Sequence, residues 1–405
     1  MKKHIILTWC TAVLFGICAT SADTETVLLA DLIEEAKANN PEILAAQHRY
    51  EAAEARVTGV RHLTDPMIAV EFAPSMRMYS ITQTMPFPTK LSTLSSIAGT
   101  EVDEYRQLYE MTTLDVVKRI KKAYAELFYI HKEIEAIEES ISFLRQFFNI
   151  VSQHYALSHA PQTDVLRAQI ELAKMENQRL TSQDKKEVIE AQLNTLLDRN
   201  ADTPVGIPQP VDTNVITYEI EELYERARDY HPQLAATRHM VERAEFMKTF
   251  ARQHYLPDFM FKFTQVEQEG DFTDQKYMFG LTVPLWFFGK QNNMVSEATA
   301  QIEMLRAYYQ NMENSVLLDV KAATVETDRS ARTRVLYEHS IIPQAYANVK
   351  SALIAYEANE IDFMTLLESE RILLQFQLEY YRAQADFFKS IAELEEAIGS
   401  ESLSD

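Results

Sequence analysis

The chain has 405 residues and a formal net charge of −21. This acidic excess argues against a nucleic-acid partner, because phosphate binding requires clustered lysines and arginines. Only 8 residues are glycine, and long stretches are rich in Ala, Glu, Leu and Gln, a composition that favours long helices over compact α/β units. The negative charge fits either simple solubility or a cation-attracting interior, and composition leaves both interpretations open.

The N-terminal segment has the features of an export signal. Two lysines precede an apolar run from Ile5 to Cys18, and small residues ending at Ala22 follow. Because this run is too short to span a bilayer, residues 1–22 are predicted to be a cleaved signal peptide. Both cysteines of the chain lie inside it, so the mature protein is expected to have no thiol for a disulfide, a metal or nucleophilic catalysis. No later stretch has 18 consecutive apolar residues, so no membrane-spanning helix is expected.

The remainder of the sequence is an internal repeat. At a shift of 191 residues Pro41 falls on Pro232, Glu54 on Glu245 and Pro66 on Pro257, among other matches. A repeat of this length indicates that one structural unit occurs twice. The predicted units are residues 27–199 and 218–399, joined by a linker at 200–217 that contains Pro and Asp and is expected to be irregular.

Each unit predicts the same order of helices. A short helix is followed by a restart at Asn40-Pro41 or His231-Pro232, because Pro suits the first helical position and Asn is a good N-cap. After two extended segments comes a very long helix, at about 91–155 and about 292–356, then a short break and a closing helix. About 65 residues give a helical rod of about 100 Å. The two shorter helices are expected to stack end to end alongside it. Coiled-coil spacing supports the long helix, with apolar residues at Ile134, Ile137, Ile141, Leu144, Phe148, Val151 and Tyr155.

The extended segments alternate apolar and polar residues. They are predicted as strands at about 66–73, 78–86, 257–267 and 275–285, each near the length of a tilted transmembrane strand. Four strands cannot close a barrel, whereas a homotrimer would supply twelve with no free edge. A soluble hairpin with one buried face is the alternative, but no globular remainder offers a core for it to cover. The residues predicted to face lipid are Phe259, Phe261, Phe263, Tyr277, Phe279 and Leu281.

At this point the sequence resembles the TolC family of outer-membrane efflux channels over essentially the whole mature chain. The resemblance rests on the paired repeat, the two helix restarts, Pro66 and Pro257 before the strands, and the stretch from Gln83 to Lys90. It implies a fold that is mainly α with a small β part. Three chains would form a twelve-stranded barrel in the outer membrane of a Gram-negative bacterium and a long α-helical tunnel across the periplasm. The implied partners are a periplasmic adaptor protein and an inner-membrane pump, expected to be of the resistance-nodulation-division type, with no cofactor.

The resemblance also implies a closed tip at the turns Tyr155–Leu166 and Tyr356–Leu367. Three copies of an acidic residue around a narrow axis would attract cations and repel anions. The pore or gate candidates are Asp362, Glu357, Glu360 and Asp164, and the candidates for adaptor contact are Leu157, Ser158 and Ala358. Helix capping is the competing role, equally supported for Asp362 and favoured for Asp164.

No arrangement of residues typical of an enzyme or a metal centre stands out. The ten histidines, including His154 and His159, form no compact ligand set, so none is predicted to bind metal. Methionines gather in or near the strands, where thioethers could bind Cu(I) or simply pack. The predicted function is a passive exit duct for metal cations or for small molecules such as drugs, dyes or peptides. The alternative is a soluble periplasmic coiled-coil structural or adaptor protein.

Overall fold

The computed structural model describes residues 26–158, 161–210, 219–358 and 360–403. The predicted signal peptide at 1–22 therefore lies outside the described residues, as do His159, Asn359 and the part of the predicted linker at 211–217. None of the described helices is both long enough and apolar enough to cross a membrane.

The two repeats contain the same series of elements. The first comprises α1 (Leu29–Asn39), α2 (Pro41–Gly59), β2 (Met67–Ala73), β3 (Met76–Met85), α3 (Pro88–Ala156) and α4 (Gln162–Leu196), preceded by the short strand β1 (Thr26–Val27). The second comprises α5 (Ile220–Tyr230), α6 (Pro232–Gln253), β5 (Asp258–Gln268), β6 (Asp271–Thr282), α7 (Asn292–Leu336), α8 (Ile342–Glu357) and α9 (Phe363–Ile398). The predicted end-to-end stacking is confirmed, because α2 and α4 both pack along α3.

Both predicted helix restarts are present and capped. The Asn40 side chain accepts hydrogen bonds from the backbone N–H of Glu42 and of Ile43, at 2.9 and 3.2 Å. In the second repeat the Nδ1 atom of His231 accepts one from Gln233 N, at 3.2 Å. A side-chain acceptor satisfies amide groups that the first turn of a helix leaves unpaired. The cap and the following proline together turn one helix into the next.

Two short π-helical segments lie along the second long helix. One, Phe287–Gln291, precedes α7, and the other, Tyr337–Ile341, joins α7 to α8 within the long helix. This second segment ends two residues before Pro343. Proline has no N–H and its ring crowds the carbonyl four residues earlier, and a π-bulge relieves that conflict without ending the helix. The predicted long helix is thus continuous from Asn292 to Glu357, with one irregular turn.

The four longer strands form one antiparallel sheet in the order β2-β3-β5-β6. Strand β6 begins at Asp271, four residues earlier than predicted, because Glu269 and Gly270 both have positive φ, 53° and 95°, and reverse the chain within two residues. It ends at Thr282, before Pro284, which cannot donate a hydrogen bond to a sheet.

The linker is more ordered than the sequence predicted. It contains strand β4 (Ile207–Pro208), which pairs in parallel with β1. The hydroxyl of Tyr124, on α3, lies within hydrogen-bond distance of two carbonyl oxygens, Val27 O at 3.0 Å and Gln209 O at 2.9 Å, between which its single proton is shared. The start of the described chain and the linker are therefore both held against the long helix of the first repeat.

Two clusters of buried side chains, one in each repeat, stabilise the region where the short helices α1 and α5 pack against the long helices. Leu32, Ala36 and Ile43 lie in the first cluster, and the residues 191 positions later lie in the second. The equivalent residues of the second cluster are Leu223, Ala227 and Leu234. The sequence repeat therefore reflects equivalent packing.

Candidate functional site

One face of the four-stranded sheet is apolar. On β5 and β6 the directly opposite pairs are Phe259–Leu281, Phe261–Phe279 and Phe263–Tyr277. The last two pairs are in ring contact, with centroids 5.2 and 5.3 Å apart. The phenyl group of Phe279 is 82% exposed, so no other part of the described chain covers it. The register continues this face onto β2 and β3 through Ile68, Val70, Phe72, Tyr79, Ile81 and Met85. The polar residues on the same face are Gln83, near its helix-side end, and Arg77, Gln265 and Glu267, near the turns of the hairpins.

The opposite face of the sheet carries small, polar and thioether side chains. The register places two groups of residues there, both out of phase with the phenylalanines. The hydroxyl-bearing group is Ser80, Thr82, Thr84, Thr264 and Thr282, and the methionines are Met67, Met76, Met78, Met260 and Met278. One sheet thus separates an aromatic and aliphatic surface from a surface suited to water. The six residues predicted to face lipid share the apolar side; their contact with lipid stays a prediction.

Both edges of this sheet are open in the single chain. Strands β2 and β6 are the outer strands of the order β2-β3-β5-β6. Each outer strand presents a row of backbone N–H and C=O groups that no strand of the same sheet pairs. A four-stranded sheet is too narrow to close on itself. Both edges are therefore free to pair with strands from another chain.

A buried ion pair fixes the sheet to the helices. The ammonium group of Lys90, which is 5% exposed, lies 2.7 Å from the Asp258 carboxylate and donates to Leu256 O at 3.3 Å. The same carboxylate accepts from Phe87 N at 3.0 Å. The start of helix α3 in the first repeat is thereby joined to the start of β5 in the second. Asp258 was not singled out from the sequence, because its partner lies 168 residues away.

Exposed aromatic residues lie at the helix-side end of the sheet. Leu285, Trp286 and Phe288 follow β6 and are 72–80% exposed. Tryptophan is enriched where a membrane meets water, because its ring is apolar and its N–H is polar. These residues were missed in the sequence, although Trp286 directly follows the predicted strand.

The far ends of the coiled-coil helices carry the two predicted tip turns. Leu157 follows α3 and is 65% exposed, and Ser158 adopts a positive φ of 62° that ends the helix. Ala358 follows α8, is exposed, and donates its N–H to Ile354 O at 3.0 Å. All three predicted adaptor-contact residues are therefore accessible at helix ends, while the contact itself stays a prediction.

The structure brings the two turns together. The Phe147 ring, on α3, stacks on that of Phe363 with centroids 5.3 Å apart and contacts that of Tyr356 at 5.0 Å. Buried Val151 and Leu366 belong to the same cluster. Since these residues come from both repeats, the two tips form one packed end of the molecule.

Asp362 has the capping role that the sequence left as one of two possibilities. Its Oδ1 atom accepts from Thr365 N at 2.9 Å and from Thr365 Oγ1 at 2.7 Å. These hydrogen bonds, with a smaller contribution from the positive charge of Arg167, lower the pKa of the exposed Asp362 carboxyl. The side chain is thus an ionised group held in a fixed orientation at the tip. Capping and a charged ring are compatible functions of the same carboxylate.

The other acidic candidates are placed differently. Glu357 and Glu360 are exposed beside Asp362. The capping role favoured for Asp164 is wrong, because Pro161 occupies the cap position of α4 and Asp164 lies in the first turn. Proline fixes the extended φ that a cap residue needs, so the helix starts one turn earlier than an Asp164 cap would allow. The half-buried Asp164 faces the second turn, where burial chiefly, and the Asp164 charge in addition, raise the pKa of Tyr356.

No group of three or more His, Cys, Asp and Glu residues within the described ranges is arranged to hold a metal ion.

Comparison with known proteins identifies this architecture. The family model for outer membrane efflux proteins matches residues 32–199 and 223–400, one match for each repeat. The structure of VceC, an outer membrane protein of Vibrio cholerae, superimposes with a TM-score of 0.77 at 18% identity, covering 92% of this chain and 96% of that one. The open state of the MtrE outer membrane channel of Neisseria gonorrhoeae gives 0.77 at 15% identity, covering 92% and 89%. The cobalt-zinc-cadmium resistance protein CzcC of Cupriavidus metallidurans is 18% identical over 44% of this chain, a match that covers 42% of CzcC. With both repeats matched, the chain belongs to the outer membrane efflux protein family.

Proposed function

We propose that three copies of this chain form a passive exit duct through the outer membrane and across the periplasm. The observation that carries the proposal is the sheet: it has one apolar face, one polar face and two open edges. Three copies supply twelve strands, which close into a barrel without an edge. The strands β5 and β6, of 11 and 12 residues, are long enough to cross a bilayer when tilted.

The helices supply the length of the duct. The 69 residues of α3 extend for about 100 Å. With α4 packed along α3 and α9 along α7, each protomer contributes a double-layered segment of the tunnel wall. The duct performs no chemistry, so the chain acts as a conduit and not as an enzyme.

The rival function, a soluble coiled-coil structural or adaptor protein, fits the helices but not the sheet. A soluble protein would leave Phe279, Trp286 and Phe288 in water beside the other residues of the apolar face. Exposed apolar surfaces of this extent mark contact with a membrane or another protein.

A pair of neighbouring substitutions on β6 tests membrane insertion. Phe279→Arg places a charge on the apolar face, and Met278→Arg places it on the opposite face. A cation facing lipid near the bilayer midplane costs about 2–4 kcal/mol, whereas a lumenal one costs little. We expect the wild type and Met278→Arg to be recovered from outer membranes as trimers, and Phe279→Arg to be depleted there. Recovery of the wild type from the soluble periplasmic fraction would favour the rival function.

The tip is proposed to be the gate and docking end. An adaptor protein and an inner-membrane pump of the resistance-nodulation-division type would engage the exposed turns at Leu157, Ser158 and Ala358. The acidic residues Asp362, Glu357, Glu360 and Asp164 would surround the narrow axis and favour cations.

The charge and the cap of Asp362 can be separated. Asp362→Asn keeps an oxygen acceptor for Thr365 N but removes the charge, while Asp362→Ala removes both. If a charged ring controls ion passage, both variants lose cation selectivity in planar bilayers. If Asp362 is only a cap, Asp362→Asn behaves as the wild type, and Asp362→Ala is altered through a destabilised α9.

Metal cations are the favoured cargo, supported by the acidic charge and by the likeness to a cobalt-zinc-cadmium resistance protein. Growth of a deletion strain across graded copper, zinc, cobalt and nickel, and across dyes, detergents and antibiotics, tests this choice. Selective metal sensitivity, restored by the wild-type gene, supports it. Sensitivity to the organic compounds alone identifies a drug-type outlet.

A further inference from the structure

The methionines of this chain are concentrated in the sheet. Six of the 15 lie in the four strands β2, β3, β5 and β6, which hold about a tenth of the chain. Five of these six lie on the polar face, opposite the phenylalanines. Only Met85 lies on the apolar face, where a methionine needs no special explanation. Met78 lies directly opposite the buried Val266 and can be explained by packing. Met67, Met260 and Met278 instead have hydroxyl, charged or small side chains as their direct neighbours.

Three of these methionines surround one part of the polar face. Directly opposite residues form a row across the sheet, Met67–Thr82–Lys262–Met278. Met260 lies on β5 two residues before Lys262, on the same face of the sheet. It is a diagonal neighbour of both Thr82 and Met278, at a distance that a long side chain can reach. Its methyl carbon lies 2.9 Å from the point where a Cβ on Gly280 would be, so the thioether lies across β6 in the space that this glycine leaves open.

A hydroxyl group in this row has no hydrogen-bond partner. Thr82 is 8% exposed, and its Oγ1 atom is buried and unpaired. A buried hydroxyl without a protein partner is costly, and a water molecule, an ion or a ligand atom would satisfy it. In the register Thr82 lies directly between Met67 and Lys262, with Met260 as a diagonal neighbour, so one hydroxyl and two thioether side chains lie within reach of the same part of this face. This is an independent sign of a binding site among the methionines.

The chemistry of these groups selects the ligand. Thioethers are soft, uncharged ligands that prefer Cu(I) to Mg²⁺, Ca²⁺ or Mn²⁺. Lys262 and Lys276 lie on the same face, and their repulsion of a cation scales with its charge. These lysines therefore repel a divalent ion twice as strongly as a monovalent one. Binding to soft sulfur offsets that repulsion only for an ion that prefers sulfur ligands. Several weak sites in series also suit conduction better than one tight site.

We propose that Met67, Met260 and Met278, with Thr82, form stations for soft monovalent cations of the Cu(I) class on the inner wall of the barrel. This inference rests on the proposed trimeric channel. Met67 and Met278 lie on the two edge strands, so closure of the barrel brings the β6 edge of one protomer against the β2 edge of the next. Three stations per protomer become a ring of nine thioethers in the trimer.

The test uses the full-length trimer in detergent, with Ag(I) as a redox-stable probe of the same class and Zn²⁺ as a divalent, less soft comparison. The triple variant Met67→Leu/Met260→Leu/Met278→Leu conserves volume and removes sulfur, and Met85→Leu is the matched control on the apolar face. We expect the wild type and the control to bind Ag(I) in titration calorimetry, and the triple variant to bind at least tenfold more weakly, with no difference for Zn²⁺.

Equal Ag(I) binding by the triple variant and the wild type would overturn the proposal, as would a wild type that binds no Ag(I). If the triple variant does not assemble, the ¹³C-methyl NMR signals of Met260 and Met278 are followed in the wild type during an Ag(I) titration. Shifts of both signals support the proposal, and unchanged signals contradict it. Potassium chloride conductance in planar bilayers separates this inference from its basis. Conductance without Ag(I) binding refutes only the stations, whereas absence of conductance refutes the channel.

Discussion

Replacement of His231 by asparagine should make the N-cap of helix α6, in the second repeat, insensitive to acid. His231 is 9% exposed, and its Nδ1 atom accepts the hydrogen bond that caps α6. An acceptor nitrogen carries no proton, so the cap exists only in the neutral imidazole. Burial lowers the pKa of His231 to about 4, and the charge of Asp319 opposes this only weakly. Asn40, at the equivalent position of the first repeat, caps α2 with an oxygen that does not titrate.

The magnitude follows from the difference between the folded and unfolded pKa values. The unfolded chain protonates His231 near pH 6.5, while the folded chain resists protonation until about pH 4. The stabilisation from neutral His231 is therefore complete above pH 6.5 and is lost as the pH falls toward 4. At about 1.4 kcal/mol per pH unit, the loss between pH 6.5 and 4.5 is about 3 kcal/mol. Asparagine should cost little at pH 7.5 and avoid this loss at pH 4.5.

Thermal unfolding of the wild type and His231→Asn, followed by circular dichroism at pH 7.5 and 4.5, measures the effect. We expect similar melting temperatures at pH 7.5 and a clearly higher one for the variant at pH 4.5. Other acid-sensitive groups, such as the half-buried His131, act equally on both proteins, so their effects cancel in the difference between the two melting temperatures. An identical acid-induced decrease in the two proteins would refute the assignment of the cap to neutral His231.

Three further changes test the helical layer. Burial raises the pKa of Glu370 to about 7, so stability falls by about 3 kcal/mol as the pH rises from 4.5 to 7; Glu370→Gln should melt above the wild type at pH 8 but not at pH 4.5. Gly399 has a φ of 79°, and a Cβ added there would lie 2.6 Å from the His231 backbone. Gly399→Ala should therefore lower the free energy of unfolding by at least about 2 kcal/mol. Gly99 lies on α3 with open space around it, so Gly99→Ala should raise the melting temperature. The buried Lys121 ammonium lies 2.6 Å from the Glu395 carboxylate, so Glu395→Ala leaves that charge without its partner and should lower the free energy of unfolding by about 3–5 kcal/mol. The double variant Lys121→Met/Glu395→Leu should recover most of this loss. Equal instability of the single and double variants would show that the buried charge is not the cause.

Much of the fold was predictable because its signals are local. A side-chain period of two determines which strand residues share a face whatever the strand pairs with. The common face of Phe259, Phe261 and Phe263 could therefore be predicted without knowing the sheet order. The Asn40 cap is equally local, since its acceptor binds amides two and three residues ahead.

The errors and omissions involve contacts between distant residues or details of turn geometry. The ion pair of Lys90 with Asp258 and the pairing of β1 with β4 join segments more than 160 residues apart. No periodicity predicts such partners. The start of β6 was wrong because Glu269 adopts a positive φ, which is uncommon outside Gly, Asn and Asp. Asp164 was expected to cap α4 from its residue type alone, although Pro161 begins the helix.

The pairing inside one chain indicates how three chains would close. Strand β3 ends the hairpin of the first repeat and pairs antiparallel with β5, which begins the hairpin of the second. The open edges have the reciprocal relation: β6 ends the second hairpin and β2 begins the first. An antiparallel contact of β6 with β2 of the next protomer would thus repeat a junction already present in each chain, and six related hairpins would surround the axis. In the proposed trimer the sequence repeat would therefore make the contact between chains a copy of the contact within one.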